Sequence, residues 1–235
     1  MRVTKVGTVY QLSFMPRFFP VNCYLVDEED ELTLIDAALP YSTKSIITAV
    51  KRIGKPLTNI ILTHAHSDHV GALDELKRIL PSVNVHISSR EARLLTGDRT
   101  MLLDEQDSVI RGGIPKNIKT KPDNLLQEGD RVGSLEVISA PGHTPGQIAL
   151  LDIRNRSLIA GDTFQTRAGI AVSGTMRLTF PFPALATWNK KIALESARKL
   201  REYEPRLLAV GHGKMLQNPI HDMNQAIAES EKKLQ

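Results

Sequence analysis

The first third of the chain combines strand-like and helix-like patterns of hydrophobic residues. Strands are predicted over residues 3–12, 22–26, 31–36 and 58–63, where apolar residues alternate with polar ones or form short continuous runs. One helical pattern begins near Ser42, a suitable N-cap, and ends at Gly54, and a second covers residues 70–80. Residues 64–69 are therefore expected to form a loop between a buried strand and a helix.

The rest of the chain also contains both strand-like and helix-like segments. Further strands are predicted over residues 83–88, 134–139, 147–152, 157–160 and 207–210, and helices over residues 89–111, 184–203 and 220–234. Because strand blocks in both halves are flanked by helices, the pattern predicts an α/β fold of two packed sheets with helices outside. With no internal repeat and no long linker, residues 1–235 are expected to form a single domain.

The composition narrows the class of protein. Of 235 residues, 41% are hydrophobic and 24% charged, which excludes collagen, coiled coil and disorder. The net charge of +4 gives little support to nucleic-acid binding. With no apolar run long enough for a membrane helix and no signal-peptide pattern, a cytoplasmic protein is expected. The single Cys23 excludes an intramolecular disulfide and is expected to be an inert core thiol.

The loop after the strand at 58–63 carries a dense set of candidate metal ligands. It reads THAHSDH and contains His64, His66, Asp68 and His69. Imidazole and carboxylate groups are ligands that zinc and similar divalent ions favour. Because a tight loop can aim its side chains at two adjacent points, His64 and His66 are expected to face one ion, and Asp68 and His69 a second.

Two ligands hold an ion poorly, so further donors are expected elsewhere. Three follow later predicted strands, namely His143 in PGHTPG, Asp162 in AGDTF and His212 in VGHG. A glycine directly precedes each of them, which lets the backbone bend close to an ion. The sequence therefore predicts a metal site at one edge of the sheets.

This set of donors resembles that of the metallo-beta-lactamase superfamily, and the resemblance extends from about Val21 to Gly213. It implies a four-layer αβ/βα sandwich of two mostly antiparallel or mixed sheets, with helices on the outer faces and a binuclear site at one edge. It also implies ligand roles: the first metal bound by His64, His66 and His143, the second by Asp68, His69 and His212, with Asp162 bridging both.

The details favour the glyoxalase II and lactonase branches. Lactamases proper usually lack the bridging carboxylate of Asp162, and flavodiiron oxidoreductases carry Glu in place of His66. One feature does not fit the quorum-signal lactonases within that branch, because the tyrosine that they carry beyond Asp162 is absent here. We therefore expect a binuclear metal-dependent hydrolase whose metal-bridging hydroxide attacks the ester, thioester or lactone carbonyl of a small molecule. Asp68 is expected to be catalytic as well, by orienting that hydroxide or accepting its proton.

Two alternatives stay open: a mononuclear iron enzyme of the persulfide dioxygenase kind, and a nucleic-acid-processing or nucleic-acid-binding member of the superfamily, which would bind with strong salt dependence. The expected cofactors are two divalent metal ions, with zinc preferred over manganese, iron or cobalt. No membrane partner is expected. The oligomeric state stays open, with a homodimer among the options.

Residues around the ligands are also expected to contribute. Asp36 is the candidate for orienting a ligating histidine, with a turn or helix cap as its alternative role, and lesser candidates are Thr63, Thr144 and Thr163. His86 and His221 are expected to be structural or on the surface.

Three segments bear on the substrate. The loops at 14–20 and 175–183 combine apolar residues with an arginine, and they are expected to form a partly hydrophobic acyl pocket in which Arg17 or Arg177 meets a negative group. Loop packing or a dimer contact is the alternative. The stretch at 89–111 is expected either to cover the site or to present a solvated face.

Overall fold

A computed structural model describes residues 1–103, 105 and 108–235 and contains two large β-sheets. The first sheet has seven strands, in chain order β1 (Arg2–Val6), β2 (Val9–Phe14), β3 (Val21–Asp27), β4 (Leu32–Ile35), β5 (Leu57–Ile61), β6 (Asn84–Ser88) and β7 (Asn124–Leu126). Strands β1 to β4 pair antiparallel, and β4 to β7 pair parallel.

The second sheet has six strands. They are β8 (Arg131–Val132), β9 (Leu135–Ser139), β10 (Ile148–Asp152), β11 (Ser157–Ile159), β14 (Leu207–Ala209) and β15 (Leu216–Gln217), in the spatial order β15-β14-β11-β10-β9-β8. All its pairs are antiparallel except β11 with β14. A small hairpin pairs β12 (Phe164–Gln165) with β13 (Ala171–Val172).

Seven helices accompany the strands in the described residues. They are α1 (Thr43–Ile53), α2 (Ser67–Val70), α3 (Leu73–Ile79), α4 (Ser89–Leu95), α5 (Phe182–Ala186), α6 (Lys190–Glu202) and α7 (Ile220–Leu234). In the described part of the chain, no helix combines the length and apolar character needed to cross a membrane.

Successive side chains of the central strands in the first sheet alternate between two faces of the sheet, and both faces are buried. On β3, Cys23 and Leu25 pack with apolar residues of α1, α3 and α4, whereas Tyr24 and Val26 pack between the two sheets. Successive side chains point to opposite faces of a strand, so a strand covered on both sides is apolar at nearly every position.

The second sheet is covered in the same way. Residues such as Leu150 and Ile159 face the first sheet, and a further cluster joins the opposite face to α6 and α7. The order of layers is helix, sheet, sheet, helix, as the sequence predicted. Cys23 is fully buried in the first cluster, which agrees with its expected role as a core thiol.

Some predicted boundaries were wrong. The strand expected over residues 3–12 is a hairpin, because Gly7 adopts a φ of 57° and lets a two-residue turn join β1 to β2. The helix expected over 184–203 is interrupted at residues 187–189. There the amide groups of Trp188 and Asn189 donate to the carbonyl groups of His143 and Gly142, 2.9 Å away in each case, and Asn189 caps α6.

The helix expected over 70–80 starts earlier, at Ser67, and is split into α2 and α3. Among the described residues of the stretch at 89–111, those from Ser89 to Leu95 are helical. After Gly97, with a φ of 88°, the described residues of this stretch are not helical. Part of the prediction for 89–111 falls on residues 104, 106 and 107, which lie outside the described residues.

Candidate metal centre

The topology brings the candidate ligands to one edge. Strands β9 and β11 both pair antiparallel with β10, and β14 pairs parallel with β11, so β9, β11 and β14 end at the same edge. His143, Asp162 and His212 follow these three ends. The loop from His64 to His69 follows β5, and the Ile148 amide donates to the Thr63 carbonyl (3.0 Å), which joins this loop to the second sheet.

All seven predicted ligands converge there. Potential ligand atoms lie within 4.8 Å of one another in three groups: His64 with His66 and His143, Asp68 with His69 and His212, and His64 with His69 and Asp162. The first two groups match the predicted ligand triads. The Asp162 carboxylate lies between them, with Oδ2 3.1 Å from His212 Nε2 and 3.4 Å from His143 Nε2.

Hydrogen bonds to the outer ring nitrogens fix the tautomers in the first triad. Thr63 donates its hydroxyl hydrogen to Asp36, so its oxygen accepts from His64 Nδ1 at 3.0 Å. His66 Nε2 donates to the carbonyl of Arg111 at 3.0 Å. Ser173 donates to the Asp162 carbonyl and accepts from His143 Nδ1 at 3.1 Å. Each imidazole therefore turns a lone pair to the centre.

The histidines of the second triad are held in the same way. His212 Nδ1 donates to the Pro20 carbonyl at 2.7 Å. His69 Nδ1 donates to Asp36 Oδ2 at 2.8 Å, while Asp36 Oδ1 accepts from the Thr63 amide at 2.8 Å. Asp36 has a φ of 60°, a conformation that aspartate tolerates better than most residues. The expected contact between Asp36 and a histidine is thus present.

The inward-facing atoms fit divalent cations. His64 Nε2, His69 Nε2 and Asp162 Oδ1 are buried and have no hydrogen-bond partner among the described residues. His66 Nδ1 and His143 Nε2 face each other at 3.0 Å, although the tautomers above leave both with lone pairs. Buried polar atoms without partners are costly, and ions placed between these lone pairs would satisfy them.

The electrostatics differ between the triads. Burial lowers the pKa of His143 to about 3 and lowers the pKa of His64 and His66, so the first triad is neutral imidazole. Burial opposes protonation of His69 as well, but Asp162 and other nearby carboxylates raise its pKa to about 10. The carboxylates around the second triad therefore create a negative electrostatic potential that favours binding of a cation.

The carboxylates of the centre are charged. Burial acts to raise the pKa of Asp162, but His212 and His69 outweigh it and hold that pKa well below its ordinary value. The pKa of Asp68 is also lowered, against the effect of burial, mainly by His69 and His212. Both groups are thus carboxylates at neutral pH, the form in which they bind metal ions or accept a proton.

Several supporting residues were missed by the sequence analysis. Gln147 Oε1 accepts from the Asp162 amide at 3.2 Å, and its Nε2 donates to Thr163 Oγ1 at 2.7 Å. Ser173 holds His143, as described above, and lies 30 positions away in the chain. Such pairs have no local sequence signal, because only the folded sheets bring them together.

A second missed group holds the His212 loop. Asn22 Nδ2 donates to the Val210 and Gly213 carbonyls at 2.8 Å, and the Tyr24 hydroxyl donates to the Val210 carbonyl and accepts from its amide. Both side chains are buried on β3. The first sheet thereby fixes a loop that the second sheet presents.

Other expected supporting residues lie elsewhere. The Thr163 hydroxyl binds Gln147 and not a histidine. Thr144 Oγ1 is buried beside the Glu91 carboxylate. His86 Nε2 contacts Asn59 Oδ1 at 2.9 Å, away from the centre, as expected for a structural histidine.

A cleft of about 340 Å³ opens over the centre. Its floor includes His66, Asp68, His143, Asp162 and His212, and its wall includes Phe19, Phe182, Pro183, Leu185 and Ala186. Phe19 packs on Phe182 at 4.9 Å between ring centroids and on His212 at 5.4 Å. The two loops predicted to overhang the site therefore meet beside a candidate ligand.

The expected arginine contact was wrong for Arg177. Its guanidinium binds both carboxylate oxygens of Glu229 on α7 at 2.6 Å and does not line the cleft. Arg17 is exposed and is not among the lining residues either. Among the described residues, the wall of the cleft is therefore apolar and contains no arginine or lysine.

Comparison with known proteins agrees with this geometry. The family model of the metallo-beta-lactamase superfamily matches residues 16–212. The Bacillus subtilis protein YobT is 57% identical over 232 residues, covering 99% of this chain and 100% of that protein. The probable metallo-hydrolase YflN of the same organism is 34% identical over 214 residues, covering 82% and 80%.

Two further matches indicate the branch and the fold. The hydroxyacylglutathione hydrolase GloC of Haemophilus influenzae is 30% identical over 150 residues, covering 61% of this chain and 66% of that protein. A metallo-beta-lactamase structure from Pontibacter korlensis superposes with a TM-score of 0.72 at 17% identity, covering 97% and 98% of the two chains. The chain therefore belongs to the metallo-beta-lactamase superfamily, with glyoxalase II-like relatives, and is a metal-dependent hydrolase.

Proposed function

We propose that this protein is a binuclear hydrolase of esters, thioesters or lactones whose acyl group is uncharged and apolar. The observation that carries the proposal is the pair of triads sharing Asp162 at the floor of a cleft with an apolar wall. His64, His66 and His143 would hold one ion, Asp68, His69 and His212 the other, and Asp162 would contact both. When bound, the ions supply an acidified water molecule as nucleophile and positive charge for the carbonyl oxygen.

The chain's own groups prepare the site for this reaction. Each imidazole has its outer nitrogen engaged, so the rings need no reorientation when ions bind. His69, whose pKa is about 10 in the metal-free protein, would release a proton as its ion binds. The side chain of Asp68 is 27% exposed, more than that of any other ligand, and Oδ2 lies 3.5 Å from His212 Nε2. A carboxylate that faces the cleft and is charged at neutral pH can accept the proton of the attacking water.

The wall indicates what the substrate carries next to the reacting carbonyl. Phe19, Phe182 and Leu185 offer contact area to an acyl chain and no cation to a carboxylate or phosphate. Burying an alkyl chain there gains about 0.8 kcal/mol for each methylene removed from water. Neutral acyl groups of several carbons should therefore be preferred over acetyl groups and over acyl groups with a terminal charge.

The test is a hydrolysis panel on protein of measured metal content. It contains acyl esters of rising chain length, acyl thioesters, lactones, phosphodiesters and β-lactams, with the metal-free protein as control. Two ions per chain and cleavage of the carbonyl substrates, rising with chain length, support the proposal. A single iron per chain with oxygen uptake on a persulfide would replace it, as would cleavage of phosphodiesters alone.

A further inference from the structure

A buried carboxylate outside the ligand set lies between the two loops that supply the first triad. Glu91, in the first turn of α4, is 0% exposed. Its Oε2 accepts a hydrogen bond from the amide of Ala65 at 2.8 Å, and its Oε1 accepts one from the amide of Gly146 at 2.8 Å. Ala65 lies between His64 and His66, and Gly146 follows His143 by three positions.

The sequence around Glu91 has the form of a capping box, but the carboxylate is used differently. Ser88 is the N-cap of α4 and accepts from the Glu91 amide at 3.2 Å. In an ordinary capping box the glutamate would reach back to the amide of the N-cap residue. Here its two oxygens accept from Ala65 and Gly146 instead.

Gly146 is held through both of its backbone polar groups. Its amide donates to Glu91, and its carbonyl accepts from the Ser88 hydroxyl at 2.6 Å. A Cβ atom built on Gly146 would lie 2.6 Å from the Cβ of Arg90 and 2.9 Å from Ser88 Oγ. Only glycine permits this approach, so the PGHTPG loop is seated firmly on the start of α4.

This arrangement sets a distance that matters for metal binding. The first triad takes His64 and His66 from one loop and His143 from the other, and His66 Nδ1 lies only 3.0 Å from His143 Nε2. A buried carboxylate is costly, and its two charge-assisted hydrogen bonds offset that cost only while both loops stay in place.

We infer that Glu91 is a positioning residue that fixes the separation of the two loops carrying the first metal-binding triad. It does so without contacting an ion or a substrate. The inference rests on the metal binding proposed above but not on the identity of the substrate.

Asp74 provides a matched control within the chain. It lies in the first turn of α3, and its carboxylate also accepts from two backbone amides of a distant segment, those of Lys119 and Thr120, at 2.8 to 3.1 Å. Neither Lys119 nor Thr120 is near the triads in sequence. Both Glu91→Ala and Asp74→Ala remove hydrogen bonds from a carboxylate to two backbone amides, and Asp74→Ala also removes one from the Thr120 hydroxyl at 2.6 Å. Asp74 is only partly buried, and only Glu91→Ala frees the ligand loops.

The experiment measures zinc binding to the metal-free full-length protein by competition with a chromophoric chelator, and thermal unfolding of the same samples. Both alanine variants should lower the unfolding temperature. Only Glu91→Ala should weaken binding of the triad's ion, by about tenfold or more. Glu91→Gln, which keeps one acceptor oxygen but turns an amide N–H against the other backbone N–H, should give an intermediate loss and remains informative if Glu91→Ala does not fold.

Zinc affinity in Glu91→Ala equal to the wild type, or an equal loss in Asp74→Ala, would overturn the inference. Activity is recorded separately. A wild-type protein that binds zinc with the expected dependence on Glu91 but hydrolyses none of the panel leaves this inference standing and removes the proposed function.

Discussion

Replacing Asp36 with Asn tests whether the second ion depends on the orientation of His69. Asparagine is nearly isosteric and also tolerates the left-handed backbone of this position, where φ is 60°. Its oxygen can still accept from the Thr63 amide, now 2.8 Å from Oδ1. Its NH₂ group would then face His69 Nδ1, which now lies 2.8 Å from Oδ2. Two donors would meet, so His69 must move its hydrogen to Nε2 or rotate.

The structure sets the size of the effect. The variant loses one charge-assisted hydrogen bond to a buried imidazole, and such bonds contribute about 1.5 to 3 kcal/mol. At about 1.4 kcal/mol for each factor of ten, binding of the second ion should weaken by about 10-fold to 100-fold. The first triad does not contain His69. The Thr63 hydroxyl, which orients His64, lies 3.1 Å from Oδ1 and can still donate to the asparagine oxygen at that place, so the affinity for the first ion should change much less.

Isothermal titration of the metal-free protein with zinc, in the presence of a competing chelator, resolves the two binding steps. Asp74→Asn is the control, because that carboxylate also accepts backbone amides but lies away from the centre. Far-ultraviolet circular dichroism checks that both variants fold. Two steps with wild-type affinities in Asp36→Asn would refute the reasoning, and so would an equal loss in both steps.

Three further outcomes are expected. Phe182→Ala should reduce kcat/KM for long-chain acyl esters about fivefold relative to acetyl esters, because about 1 kcal/mol of apolar contact is lost from the cleft wall; an unchanged ratio in steady-state assays would show that the chain lies elsewhere. Gly112→Ala should abolish binding of the first ion, because the added Cβ would lie 2.2 Å from His66 Nε2. Gly129→Ala is the control: its φ is similar, but no atom lies within 4 Å of its added Cβ, so it should lower stability alone. Chelator competition measures the ion affinity and urea unfolding measures the stability of both variants. The metal-free protein should lose stability as the pH rises from about 6.5 towards 10. The folded state holds the proton of His69 up to a pKa of about 10, whereas the unfolded chain releases it near 6.5. A free energy of unfolding in urea that stays constant over this range, with zinc-loaded protein as the reference, would contradict that pKa.

Much of the candidate site could be predicted because its donors are concentrated in recognisable local patterns. The run from His64 to His69 and the glycines before His143, Asp162 and His212 are visible without a structure, since each occupies a loop after a predicted strand. Other features were missed because they depend on contacts between distant segments. The interruption at residues 187–189 is an example, since Trp188 and Asn189 bind the His143 loop instead of continuing the helix.

The sequence by itself determined the layers of the fold and which candidate donors meet at one edge, because the alternation of apolar residues and the order of strand, glycine and donor are local properties of the chain. Only the tertiary structure decided which ring nitrogen of each histidine faces the centre and that Arg177 binds Glu229. It also decided that Glu91 binds Gly146, 55 positions away, and thereby joins the two loops that carry the first triad. These features depend on which backbone and side-chain groups become neighbours when the two sheets pack, and sequence spacing carries no information about that.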